Sequence, residues 1–127
     1  GFVGDYLPHM QVTAIAAKSD WARANRGIVV RYLKGLVRTF QWLYGNKDEA
    51  IEATSAVAKV EKRFAVRGYE IYTKRHVWPS DGSPTMEGLK VVLDYMREGK
   101  TLSSSASPER YVDLSYLEQA KRELGIR

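Results

Sequence analysis

Two histidines, His9 and His76, are the only imidazoles in the chain, and neither has a second ligand three or four residues away of the kind a metal site needs. His76, Ser80 and Asp81 supply the residue types of a hydrolytic triad. All three fall within six positions of one loop, where a buried base and an oxyanion hole are hard to build together. Glu49 with Glu52 and Glu118 with Glu123 are carboxylate pairs on expected helices, which read more simply as solvated helix faces than as an acid and a base. The chain has no cysteine, which removes disulfides, thiolate ligands and sulfur nucleophiles together. The expectation is therefore a protein without chemistry of its own: no catalytic residue, no metal and no cofactor.

Positioning falls to helices. The 127 residues give room for one domain, and 28% charged with 44% hydrophobic residues is a globular balance. Residues 11–17, Gln11 to Ala17, alternate and are β-prone, so a short strand is expected there, followed by a turn over 21–25 capped by Ser19 or Asp20. A long helix is expected over 28–44, ended by Gly45-Asn46. Its apolar positions cover about half the wheel around Leu36, and a charge at Leu36 should unfold the domain. Trp42 lies toward its charged side, where it should meet another element or a partner. A small-residue helix follows over 48–58, then one with a stripe of Val60, Phe64, Gly68 and Ile71 ending near Arg75.

The prolines and the Asp81-Gly82 turn signal make 76–84 a loop. Thr85 caps the next helix and Gly99 stops it. Ser103 to Pro108 form a surface loop, Asp113 caps the last helix, and Gly125 ends it. The fold class is thus mainly α, about five helices with one or two short strands near the N-terminus.

The net charge of +5 is concentrated: Arg23, Arg26, Arg31, Lys34, Arg38 and Lys47 occur without an acidic residue between Trp21 and Lys47. Such a stripe can read phosphates, and a small basic helical domain that binds nucleic acid through Arg31, Lys34 and Arg38, or acts as a regulatory module, is the alternative reading. Amphipathicity alone puts these charges where they are, so a solvated face accounts for them and no nucleic-acid partner is expected. No apolar run approaches the length of a membrane span. The chain opens Gly1-Phe2-Val3-Gly4-Asp5 without a methionine, as a piece of a longer or processed chain would.

Several short runs recur in one order: Gly4-Asp5-Tyr6-Leu7-Pro8, then Asp20-Trp21-Ala22 with Asn25, Tyr69-Glu70-Ile71-Tyr72, Trp78-Pro79 with Asp81-Gly82, Glu87-Gly88-Leu89, and residues 111–117 from Tyr111 to Leu117. Together they resemble the C-terminal part of the periplasmic solute-binding proteins of ABC importers in the nitrate, sulfonate, taurine and thiamine-pyrimidine group. The resemblance implies a parent with the two-lobed α/β fold of type II periplasmic binding proteins, of which this chain is a C-terminal segment. It departs from the pattern at Arg26-Gly27, where relatives often carry a proline that starts the long helix. The implied partners are a small anionic or heterocyclic solute and the membrane subunits of the importer. Tyr6 and Gln11, flanking the second crossover between lobes, are the implied ligand-binding residues. Having lost the strands its helices would cover, the segment alone is expected to form a homodimer through the strand at 11–17.

Overall fold

The computed structural model describes residues 3–6, 13–102 and 107–126. Among these residues the regular structure is all helical: α1 (Val3–Tyr6), α2 (Ser19–Ala24), α3 (Arg26–Gly45), α4 (Lys47–Ala58), α5 (Lys62–Lys74), α6 (Met86–Glu98) and α7 (Ser115–Glu123), with a 3₁₀ turn at Pro108–Arg110. The chain divides into two compact units, one of Gly1–Arg26 with Pro84–Ser115 and one of Gly27–Ser83 with Tyr116–Arg127.

The larger unit is built on α3. Nothing in its sequence interrupts the helix until Gly45, where Asn46 Nδ2 donates to the Trp42 carbonyl at 2.8 Å and α4 begins one residue later. Asp48 and Glu49 in the first turn of α4 face the positive end of its dipole. Its inner side is Ala50 and Ile51, and α5 packs against α4 through the buried Ala65. Small residues on both helices let the backbones approach closely. On α3 the buried positions are Val30 and Val37, two turns apart, while Leu36 is only half-buried. The apolar arc was expected around Leu36, but its buried centre is Val37, because an arc half a circumference wide does not mark its own midpoint. Tyr116, Leu117 and Ala120 complete the core from α7.

The smaller unit holds Ala22 of α2 and Gly88 and Leu93 of α6 as its buried residues. Thr85 caps α6 as expected, its hydroxyl accepting from the Gly88 N–H at 3.3 Å. Gly99 stands at the end of the helix, but the left-handed backbone is taken one residue later by Lys100, at φ 56°. Before α7, Asp113 accepts the Ser115 N–H at 3.0 Å, and Arg26 donates to the Ser115 carbonyl at 3.1 Å. Gly125, at φ 71°, ends the last helix where it was expected to.

The expected strand is the main correction. Gln11 and Val12 lie outside the described residues, and 13–17 run without regular structure and exposed, Ile15 among them. Local alternation makes a segment β-competent, but a strand exists only when another offers its N–H and C=O groups, and no strand occurs among the described residues. Among the described residues the regular structure is helical, as the mainly α reading expected, and the strands of that reading are not found.

Candidate functional site

Several of the residues weighed for chemistry, Asp81, His76, Glu52 and Glu123 among them, make contacts within the larger unit. Asp81 leads the loop after α5. Its carboxylate accepts from Lys121 Nζ of α7 at 2.5 Å, from Ser83 Oγ at 2.7 Å and from the Ser83 N–H at 3.0 Å. Partial burial opposes its charge, yet the Lys121 and Ser83 hydrogen bonds overcome that and hold the carboxyl at about 2, below its ordinary 3.8. Gly82 follows with φ 73°, and a Cβ there would sit 3.4 Å from Val37 Cγ2 and 3.7 Å from Leu117 Cδ1. The Asp-Gly pair is thus a turn that pins the loop over α3 and α7, which needs both a charged anchor and a residue free to turn left-handed.

His76 does not join Asp81 as a base. It stacks on Tyr44 with ring centroids 5.9 Å apart, exposed and at φ 48°, and Ser80 is exposed as well. The triad types share a loop without forming a triad. His9 lies outside the described residues.

Trp78, in the loop after α5, takes a packing role. It stacks with Phe40 at 6.2 Å and meets Tyr72 at 4.5 Å, and its carbonyl accepts the Tyr44 hydroxyl at 2.6 Å. Burial, and secondarily the neighbouring Tyr69, push the Tyr44 phenol up. Tyr69 itself donates to the Leu43 carbonyl at 2.9 Å. These aromatics form a wall that seats the loop on α3, with the Tyr44 and Tyr69 hydroxyls both donating to backbone carbonyls. Trp21 and Trp42 are each somewhat under half exposed.

The carboxylate pairs dissolve in the same way. Glu52 pairs with Lys62, and Glu123 accepts from Gln119 at 2.9 Å and from Lys34 at 2.9 Å, contacts that lower its carboxyl. That last contact also removes Lys34 from the basic stripe, Lys47 faces Glu70 at 3.9 Å, and Arg23 pairs with Asp20. Arg31 and Arg38 are left exposed on the outer side of α3. A continuous phosphate-reading array is therefore not what the stripe becomes.

Of the two implied ligand-binding residues, Tyr6 ends α1 and is 78% exposed, while Gln11 lies outside the described residues. No cluster of three or more His, Cys, Asp or Glu side chains able to hold a metal occurs among the described residues. An open groove along α5 is lined by Arg67, Glu70, Ile71, Lys74 and Arg75, a basic face that the sequence reading did not single out. Its signal was present in the spacing of Arg67 and Lys74, two turns apart on one helix.

No helix among the described residues is long and apolar enough to cross a membrane. No family model matches the chain, and neither the curated proteins nor the solved structures contain a match to it.

Proposed function

We infer that the chain is the C-terminal segment of an extracytoplasmic solute-binding protein of the nitrate, sulfonate, taurine and thiamine-pyrimidine group, which captures a small anionic or heterocyclic solute and passes it to the membrane subunits of an ABC importer. The ordered residue set from Gly4-Asp5-Tyr6 to the run ending at Leu117 is the basis of the reading. The structural observation that carries it furthest is apolar surface left on α3. Ile28 and Tyr32, one turn apart, are 48% and 55% exposed beside the buried Val30. A helix built only for its own unit would not pay to keep both in water, whereas one that braces a further lobe needs them.

In this reading the loops and helix N-termini that hold the solute's head group belong to the earlier part of the parent, and this segment contributes Tyr6 and Gln11 at the crossover. Its role is scaffold and hinge, without catalysis. The test is a thermal-shift series on the parent protein and on the 127-residue segment with nitrate, taurine, an alkanesulfonate and a pyrimidine. Stabilisation of the parent by one class, weakened by Tyr6→Ala, with no response from the segment alone, is the expected result. A parent that responds to none of them, or a segment that binds as tightly as the parent, contradicts the proposal.

A further inference from the structure

Asp81-Gly82 is the one Asp-Gly pair of the chain, and no Asn-Gly pair occurs. An aspartate followed by glycine is the dipeptide whose main chain closes most readily on its own side chain, because glycine has no Cβ to keep its nitrogen from the carboxyl carbon. Both partners of that closure are engaged in this structure. The carboxylate accepts from Lys121 Nζ at 2.5 Å, from Ser83 Oγ at 2.7 Å and from the Ser83 N–H at 3.0 Å. The Gly82 N–H donates to the Pro79 carbonyl at 2.9 Å. The Lys121 ammonium favours the ionised carboxyl, which is inert to the amide because closure would expel oxide, whereas the neutral acid expels water. The Asp81 side chain is 35% exposed, so solvent reaches it once the loop lifts.

We propose that Asp81-Gly82 is a site of spontaneous isomerisation to isoaspartate, held closed by the Lys121 and Ser83 contacts and released when the loop opens locally. In the first step the Gly82 nitrogen bonds to Asp81 Cγ, and the amide proton and the carboxyl hydroxyl leave together as one water. A five-membered succinimide remains. Water then adds to one of its two carbonyls. Addition at Cγ breaks the new C–N bond and restores aspartate. Addition at the main-chain carbonyl breaks the original peptide bond, so the chain runs on through Cγ as isoaspartate. One water leaves and one returns, with no oxidant or cofactor. Isoaspartate lengthens the main chain by a methylene and moves the free carboxylate onto Cα, so the Lys121 contact and the close approach of Gly82 to Val37 and Leu117 cannot both be remade. The site thereby marks the age of each copy of the chain. The proposal goes beyond the solute-binding reading and holds whatever the parent binds.

The full 127-residue chain is aged in heavy-oxygen water at neutral pH, folded or in urea, and then digested with trypsin in ordinary water. Cleavage after Arg75 and Lys90 releases residues 76–90, in which Asp81 is the one aspartate. Each succinimide hydrolysis leaves one heavy oxygen in that peptide, and methylation by an isoaspartyl carboxyl methyltransferase counts the isoaspartate. Labelling of 76–90 should be at least about tenfold slower in the folded chain than in urea. Lys121→Met should accelerate it by about fivefold with native far-UV circular dichroism. Ile51→Val, a change at a 2% exposed position on α4 that leaves the Asp81 contacts in place, should accelerate it far less. If Lys121→Met does not fold, Ser83→Ala takes its place, with an expected acceleration of about twofold. Equal labelling in the folded chain and in urea, no isoaspartate in 76–90 in either state, or equal acceleration by Ile51→Val each overturns the proposal.

Discussion

Breaking the pair between Asp81 and Lys121 tests the assignment of the Asp81-Gly82 turn to architecture. The pair spans 40 residues of sequence, at 2.5 Å, with side chains 35% and 20% exposed. A carboxyl held at about 2 instead of 3.8 would contribute at most about 2.4 kcal/mol above both values. Exposure of a third of the side chain admits solvent screening, which brings the net value to about 1 kcal/mol. Because the folded-state value is depressed, this stability is present above pH 4 and is lost as pH falls through about 2. Urea unfolding of the parent sequence, Asp81→Asn, Lys121→Met and the double variant closes a cycle. A coupling energy of about 1 kcal/mol is expected at pH 7, shrinking to roughly a third of that at pH 2.5. Coupling below about 0.3 kcal/mol at pH 7, or coupling indifferent to pH, would refute the claim that this ion pair pins the loop.

Glycines in two settings should respond oppositely. Gly68 lies inside α5 with open space around an added Cβ, so Gly68→Ala should stabilise by about 0.5–1 kcal/mol in thermal melts. Gly82→Ala, at φ 73° and against Val37, should cost about 1–2 kcal/mol. Val37→Asp places an unpaired carboxylate at a fully buried position and should abolish cooperative unfolding, whereas Leu36→Asp, at a half-buried one, should lower the midpoint and retain the transition. Calorimetry that ranks the two the other way would show the phase of α3 to be misassigned. The proposed homodimer predicts twice the single-chain mass of 14.4 kDa in sedimentation equilibrium at tens of micromolar, lost in Ile15→Lys. A monomer mass removes it.

Local chemistry made much of this fold legible. Thr85 before a periodic run, Asp113 two residues before α7 and Gly125 after it are signals whose physics lies within a single turn, and each sits where it was read. The corner at Lys59 carried no such signal, because a lysine in the left-handed region is held there by the helices on either side and not by its own preference. Phe64 was read into an inward stripe, yet it is the neighbouring Ala65 that is buried, since the close approach of α4 selects the small residue over the large one. The strand at 11–17 was a statement about propensity, and pairing needs a partner that propensity does not supply.

Among the candidate site residues the sequence could name Asp81, Trp78 and Glu123, but not what they would meet. Lys121, Phe40 and Lys34 lie 38 to 89 positions away, beyond any periodicity. Asp81 and Glu123 were weighed for chemistry and set aside, and all three residues make tertiary contacts.

If these helices belong to a larger solute-binding protein, as proposed, the reading frame upstream of the Gly1 codon encodes the rest of it. Sequencing that frame should reveal, in continuous translation, a secretory leader and then some 150–200 residues of alternating strand and helix patterns, the size of the missing part of a two-lobed parent. A start codon within a few positions of Gly1, with no such sequence before it, would contradict the claim.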